Sequence, residues 1–213
     1  MTMPISKTDT DTLRIEYQEH REAIRLRLDE FRAVPPERYF YELCYCLLTP
    51  QSSARQCFLV AKELERRRFL IKAFDAVPLL RSFNDGYVRF HNTKARRLHA
   101  AREQWNDIMQ LLATEQHDRA LRDTLAENVN GLGYKEASHF LRNIGRTDVC
   151  IVDRHIIRNL VRFELLPEWP TSISRKRYLE IESIFEDLSR TLSIPLDELD
   201  LLLWRRETGI LLK

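Results

Sequence analysis

Glycine is scarce in this 213-residue chain, with five copies, while leucine, arginine and glutamate are plentiful, a balance that points to helices. Cysteine is scarcer still, with four. Cys44, Cys46, Cys57 and Cys150 follow no C-x-x-C or other ligand spacing, which argues against a zinc site and reads as reduced, mostly buried thiols of an intracellular protein. No stretch approaches the ~20 apolar residues of a membrane span. The opening M-T-M-P-I-S-K-T-D-T has no apolar core of the kind a secretory signal needs. These absences predict a soluble protein, cytoplasmic or associated with the nucleoid. H-E-x-x-H, G-x-x-x-x-G-K-[ST] and G-x-S-x-G are also missing, which removes the readiest zinc-protease, nucleotide and serine-hydrolase readings. A net charge of +2 does not by itself suggest nucleic acid.

The stretch from Asn128 to His155, N-V-N-G-L-G-Y-K-E-A-S-H-F-L-R-N-I-G-R-T-D-V-C-I-V-D-R-H, reads as helix end, glycine hairpin, second helix, return loop and third helix. Gly131 and Gly133 stand where the chain has to turn tightly, because glycine alone takes positive φ without cost. The next helix starts near Lys135. Its first amides have no intrahelical acceptor, so together with the hairpin they form an anion site sized for one phosphate. Lys135 is unusual there, since the positive end of the helix dipole favours a carboxylate, and Glu136 beside it offsets the mismatch only in part. Sheltered from water, such a lysine has its ammonium form disfavoured, and the neutral amine is a nucleophile.

Geometry can bring a partner back to it. The helix from Lys135 to Ile144 covers about 15 Å at roughly 1.5 Å per residue, and the segment from Gly145 to Asp153 spans at most about 26 Å extended. Asp153 can therefore return toward Lys135. An amine and a carboxylate together suit displacement at a sugar carbon, with the amine forming a Schiff base and the carboxylate steadying a cationic transition state. Each residue alone has an ordinary reading as well. Lys135 fits a solvated helix lysine, and Asp153 fits the N-cap of the helix Arg154 to Phe163.

V-N-G-L-G-Y-K, followed eighteen positions after the lysine by the aspartate of I-V-D-R-H, resembles the signature of the bifunctional helix-hairpin-helix DNA glycosylases. G-Y-K-E-A-S-H-F-L-R-N-I-G and the short chain are similar to the type 2, archaeal-type 8-oxoguanine DNA glycosylase/AP lyases. The resemblance implies an all-α, two-lobe fold with the active site in the interlobe cleft and the helix-hairpin-helix motif over about residues 118 to 163. It implies Lys135 as Schiff-base nucleophile, Asp153 as assisting carboxylate, and a hairpin that grips a DNA phosphate, with a monovalent cation there as the one cofactor in view. The endonuclease III branch carries an iron-sulfur cluster on four C-terminal cysteines, and nothing after Cys150 could supply them.

Further site residues follow from the same resemblance. Gln51, in L-L-T-P-Q-S-S-A, matches the place where these enzymes present a polar residue near the gap left by an extruded base. Residues 86 to 102 carry five Lys or Arg and no acid, a face suited to phosphates. Within them V-R-F-H-N-T-K-A-R-R-L resembles the family's basic helix, which implicates Arg89, Lys94 and Arg96 in DNA binding and lays Phe90 against the flipped base. Trp204 and the terminal Lys213 resemble the family's base-recognition end, through indole stacking and hydrogen bonds to the oxidised guanine edge.

Along the chain, residues 1 to 9 read as frayed. Asp11 to Val34 reads as a surface helix with Leu13, Tyr17, Ile24, Leu28 and Phe31 on its apolar stripe and Ile15 and Leu26 off it. Glu37 to Leu48 reads as a central apolar helix, and Ser52 or Ser53 caps the next, which ends near Arg68. Short helical signal covers Ala73 to Phe83, and Asn92 to Leu112 forms one helix bearing Trp105 and Ile108. His117 to Asn128 is the first helix of the hairpin unit. Ser174 caps a helix to about Leu192, Pro195 opens the last, and Gly209 stops it. The apolar run Val149 to Val152 is too short to assign.

The predicted function is a monomeric repair enzyme that flips a damaged nucleotide out of duplex DNA, displaces the oxidised base with Lys135 and cuts the strand by β-elimination, without metal chemistry. Three alternatives stand beside it: the same fold acting on another damaged base, a non-catalytic hairpin module that only grips phosphates, and a helical protein-interaction domain.

Overall fold

The computed structural model describes residues 5–114 and 117–211. Helices make up its regular structure: α1 (Lys7–Arg32), a 3-10 turn at Pro36–Arg38, α2 (Tyr39–Leu48), α3 (Ala54–Arg66), α4 (Val77–Arg81), α5 (His91–Glu103), α6 (Trp105–Leu112), α7 (Asp118–Asn128), α8 (Tyr134–Asn143), α9 (Arg154–Arg162), α10 (Arg175–Leu192) and α11 (Leu196–Thr208). Among the described residues no strand occurs, and Phe83 and Gly86 form an isolated bridge. The all-α prediction holds. Two compact units emerge: Met1–Ala33 with Gly145–Lys213, and Val34–Ile144.

In the first unit α1 begins at Lys7, earlier than predicted, because Ser6 accepts a hydrogen bond from the Asp9 amide and caps the helix. The predicted stripe of Leu13, Tyr17, Ile24, Leu28 and Phe31 is buried, and Ile15 and Leu26 are exposed. α11 packs on α1. Glu198, buried, accepts from the Tyr17 hydroxyl at 2.5 Å and from Arg25 Nε at 3.1 Å. α10 runs from its cap Ser174 to Leu192, and Gly209, at φ 76°, terminates α11, both as predicted. Gly145 opens this unit's second segment at φ 88°. A Cβ there would lie 2.8 Å from Arg32 Cα, so glycine is required both for conformation and for room.

In the second unit α2 is the centre, with Phe40, Leu43, Cys44, Cys46, Leu47 and Leu48 without exposed surface. Its ring of neighbours includes Phe69 and Trp105, the latter edge-on to Phe40 at 5.2 Å. The helix predicted over Asn92 to Leu112 is broken at Gln104, whose ψ of 2° ends α5 and starts α6. Leu98, Ala101, Trp105, Ile108 and Leu112 are all buried across that break, so the apolar spacing carried no sign of it. The predicted helix-hairpin-helix stretch divides at Gly145: α7, the hairpin and α8 belong to this unit, and α9 to the other. All four cysteines are buried and free.

Candidate active site

The hairpin between α7 and α8 is a turn in which Leu132 N–H donates to Val129 O at 3.1 Å. Gly131 sits at φ 97°, in the left-handed region, and a Cβ there would fall 2.3 Å from Arg97 Cδ, which lies over the turn. Gly133 corrects the expectation. Its φ is −89° with extended ψ, so any residue could adopt the backbone, and it serves as N-cap of α8. What glycine gives there is space, since a Cβ would meet Glu136 Oε2 at 3.1 Å. Arg122 on α7 stacks its guanidinium on the Tyr134 ring at 5.0 Å, tying the two helices together.

The first backbone bond of α8 runs from Ala137 N–H to Gly133 O. The amides of Tyr134, Lys135 and Glu136 precede it and point out of the helix end. Lys135, at the second position of α8, is half-buried, and its Nζ lies 3.7 Å from Glu136 Oε1. It also lies within electrostatic reach of Cys57, whose thiol burial pushes up to about 11 while Lys94 and Lys135 pull it back down.

Gln51 is exposed and holds φ 54°, an unusual conformation for a residue with a side chain, on the turn that follows α2. Phe90 is a second such residue, at φ 58° and 54 % exposed, so its ring is not part of the core. Arg89 lies over its ring at 5.5 Å. Arg89 and Arg96 are exposed, as a DNA-facing role requires. Lys94 is the correction in this group. It is 1 % exposed, and its Nζ donates to Leu48 O at 2.6 Å, Pro50 O at 2.7 Å and Ser52 Oγ at 2.9 Å. Three interior oxygens take its donors, so it presents no charge at the surface. Burial pushes its ammonium down to about 8; Cys57 opposes that shift, Arg97 and Arg89 add to it, and Glu136 opposes it.

In the other unit Asp153 ends a buried irregular segment. Tyr178 on α10 holds it by donating its hydroxyl to Cys150 O at 2.6 Å and accepting from Val152 N–H at 3.2 Å, while Glu182 Oε1 accepts from Cys150 N–H at 3.2 Å. Asp153 caps α9: its Oδ1 accepts from the amides of His155 at 2.7 Å and Ile156 at 3.0 Å. Both cap bonds fall on one oxygen, which leaves Oδ2 outside the cap. Burial lowers the His155 imidazole from its ordinary value, and Asp153 pulls the other way. Trp204 is half-buried and meets His155 edge-on at 6.1 Å, so it stands near the start of α9 instead of in the core. Lys213 lies outside the described residues.

The chain as a whole matches known proteins. The profile of the family described as 8-oxoguanine DNA glycosylase, of helix-hairpin-helix type, matches residues 24–194. A relative from Korarchaeum cryptofilum, named 8-oxoguanine DNA glycosylase/AP lyase, is 40% identical over 99% of this chain and 100% of its own length. The chain belongs to the 8-oxoguanine DNA glycosylase family. A family member of the same name from Fusobacterium nucleatum is 36% identical, covering 92% of this chain and 94% of its own. The crystal structure of Methanocaldococcus jannaschii 8-oxoguanine DNA glycosylase superposes with a TM-score of 0.86 at 34% identity, over 97% of this chain and 96% of that one. The structure of that glycosylase/lyase in complex with a 15mer DNA containing 8-oxoguanine gives 0.84, also at 34% identity, over 95% and 100%. The fold is therefore that of the family.

Three residues of the site escaped the sequence. Tyr178 and Glu182 position the Asp153 segment from a distant helix, and no local pattern announces them. Of the two cap candidates Ser52 and Ser53, Ser53 caps α3, and Ser52 instead accepts from Lys94 and from the Arg89 amide at 3.0 Å, a role the sequence did not signal.

Proposed function

We propose that this protein excises 8-oxoguanine from duplex DNA and then cleaves the strand as an AP lyase. What carries the reading is a half-buried lysine in the first turn of α8, behind the hairpin of Gly131, in a chain whose near-full-length relatives bear that name. In the proposed reaction Lys135 Nζ attacks C1′ of the damaged nucleotide. The glycosidic bond breaks, and its electron pair leaves with the base. The secondary ammonium gives up one proton, which the departing base takes, and the nitrogen lone pair then opens the ring, with O4′ taking a proton, to give a protonated Schiff base. A C2′ proton is then removed and the 3′ phosphate departs by β-elimination. The Asp153 carboxylate offsets positive charge as it develops at C1′. The amides of the hairpin and of the first turn of α8 hold a backbone phosphate. Gln51, Arg89, Arg96 and Phe90 meet the DNA around the extruded nucleotide, and Trp204 with Lys213 reads the base.

Among the described residues no group of three or more His, Cys, Asp or Glu side chains could hold a metal. A monovalent cation at the hairpin would instead rest on main-chain carbonyl oxygens, donors suited to a hard ion. No helix among the described residues is long and apolar enough to cross a membrane, and a duplex substrate puts the work at the nucleoid. The test is borohydride reduction on duplexes bearing 8-oxoguanine. Wild type should give a covalent protein–DNA adduct, and Lys135→Gln should give none while keeping salt-dependent DNA affinity. Adduct from Lys135→Gln would remove the assigned nucleophile. Adduct from neither protein would favour a hairpin module that binds without chemistry.

A further inference from the structure

The turn after α2 and the turn before α5 are joined through one buried ammonium. Helix α2 ends at Leu48; in its last turn Tyr45 O is taken by the Thr49 amide and Cys46 O by the Thr49 hydroxyl, while Leu48 O is left to donors from elsewhere. Leu48 O receives two donors from outside, Cys57 Sγ at 3.1 Å and Lys94 Nζ at 2.6 Å. Pro50 O and Ser52 Oγ receive the remaining donors of the same ammonium. Lys94 thus supplies positive charge where the helix dipole is negative, and its three donors all go to one short turn. Ser52 Oγ also accepts from the Arg89 amide, and the Lys94 amide donates to Phe90 O at 2.9 Å. Residues 48–52 and 89–94 are therefore cross-tied.

Each of the two turns carries an exposed residue in the left-handed region, Gln51 at φ 54° and Phe90 at φ 58°. Such conformations persist only where the surroundings over-determine them. Exposed side chains have few contacts of their own, so the constraint must come from beneath. Lys94 and Ser52 are what lies beneath.

We propose that Lys94 is a positioning residue that fuses the Gln51 turn and the Arg89–Phe90 turn into one rigid platform for distorted DNA. This rests on the reading of the protein as a base-flipping glycosylase. Because the platform acts on the gap in a base stack, it matters for a paired lesion and not for a strand with no stack to fill.

Two measurements on the full chain separate the inference from that reading. The first uses no DNA. Hydrogen exchange of the amides at residues 49–53 should speed up about tenfold or more in Lys94→Met, consistent with loss of several charge-assisted bonds. Ser52→Ala, which keeps the two carbonyl bonds, should show a smaller increase and serves if Lys94→Met does not fold. Unchanged exchange in whichever variants fold overturns the clamp whatever the protein does to DNA. The second compares borohydride trapping on an 8-oxoguanine duplex with trapping on a single-stranded oligonucleotide carrying an abasic site. The duplex-to-single-strand ratio should fall about tenfold in Lys94→Met, through a higher half-saturating DNA concentration. Equal losses on both substrates would mean that Lys94 supports the fold at large, and would overturn the platform. If wild type traps neither substrate, the glycosylase reading fails, and hydrogen exchange still decides the clamp.

Discussion

The segment around Lys135 takes its shape from its own backbone, whereas the segment around Asp153 borrows its shape from another helix. Gly131 in the left-handed region, an extended Gly133 and the helix that follows are consecutive in the chain. Local geometry alone sets where the amine starts. The run from Cys150 to Val152 makes no regular structure, and its polar groups are answered by the side chains of Tyr178 and Glu182 on α10. A local device tolerates change elsewhere in the chain, and a borrowed one fails with its lender. The two halves of the proposed chemistry should therefore break in different ways.

The largest effect separates the two uses of Asp153. Asparagine caps a helix about as well as aspartate, so Asp153→Asn should change unfolding free energy by less than about 0.5 kcal/mol. It should nevertheless slow adduct formation by about a hundredfold or more, because the carboxylate charge is gone. If stability and rate fall together, the residue is a cap and little else. Tyr178→Phe comes next. It strips one buried carbonyl and one buried amide of their partner and should cost about 2–4 kcal/mol in denaturant unfolding, with activity lost in step. A cost near zero would show that the Asp153 segment does not depend on α10. Smallest is Gly131→Ala, where a left-handed φ costs roughly 1–2 kcal/mol for a residue with a Cβ and Arg97 must also move. Its effect should fall on DNA affinity more than on the melting of the chain, and the reverse would mean that the hairpin is a structural hub.

The same contrast explains what could be read in advance. The α1 stripe, the caps Ser174 and Gly209 and the position of Lys135 are signalled within a few residues of themselves, by periodicity or by turn chemistry. Most of the residues misread are those whose role is decided through space, with Gly133 the local exception. Lys94 looked like one more cation on a basic face, and only the fold turns it inward onto Leu48, Pro50 and Ser52. Gly133 looked like a second left-handed glycine because it follows the first so closely, yet the N-cap position needs an extended backbone. Tyr178 is buried, and nothing near it in the chain hints at its hydroxyl's work, since its partners lie on a segment without periodicity.

The four cysteines carry a consequence for a protein of this kind. Cys44, Cys46, Cys57 and Cys150 all have no exposed surface, and burial raises each thiol above its ordinary range. Thiolate is the form that peroxide attacks, and here it is both scarce and out of reach. The oxidative burst that damages guanine in the genome would thus leave these four thiols intact, and the enzyme would remain in service when lesions are most abundant.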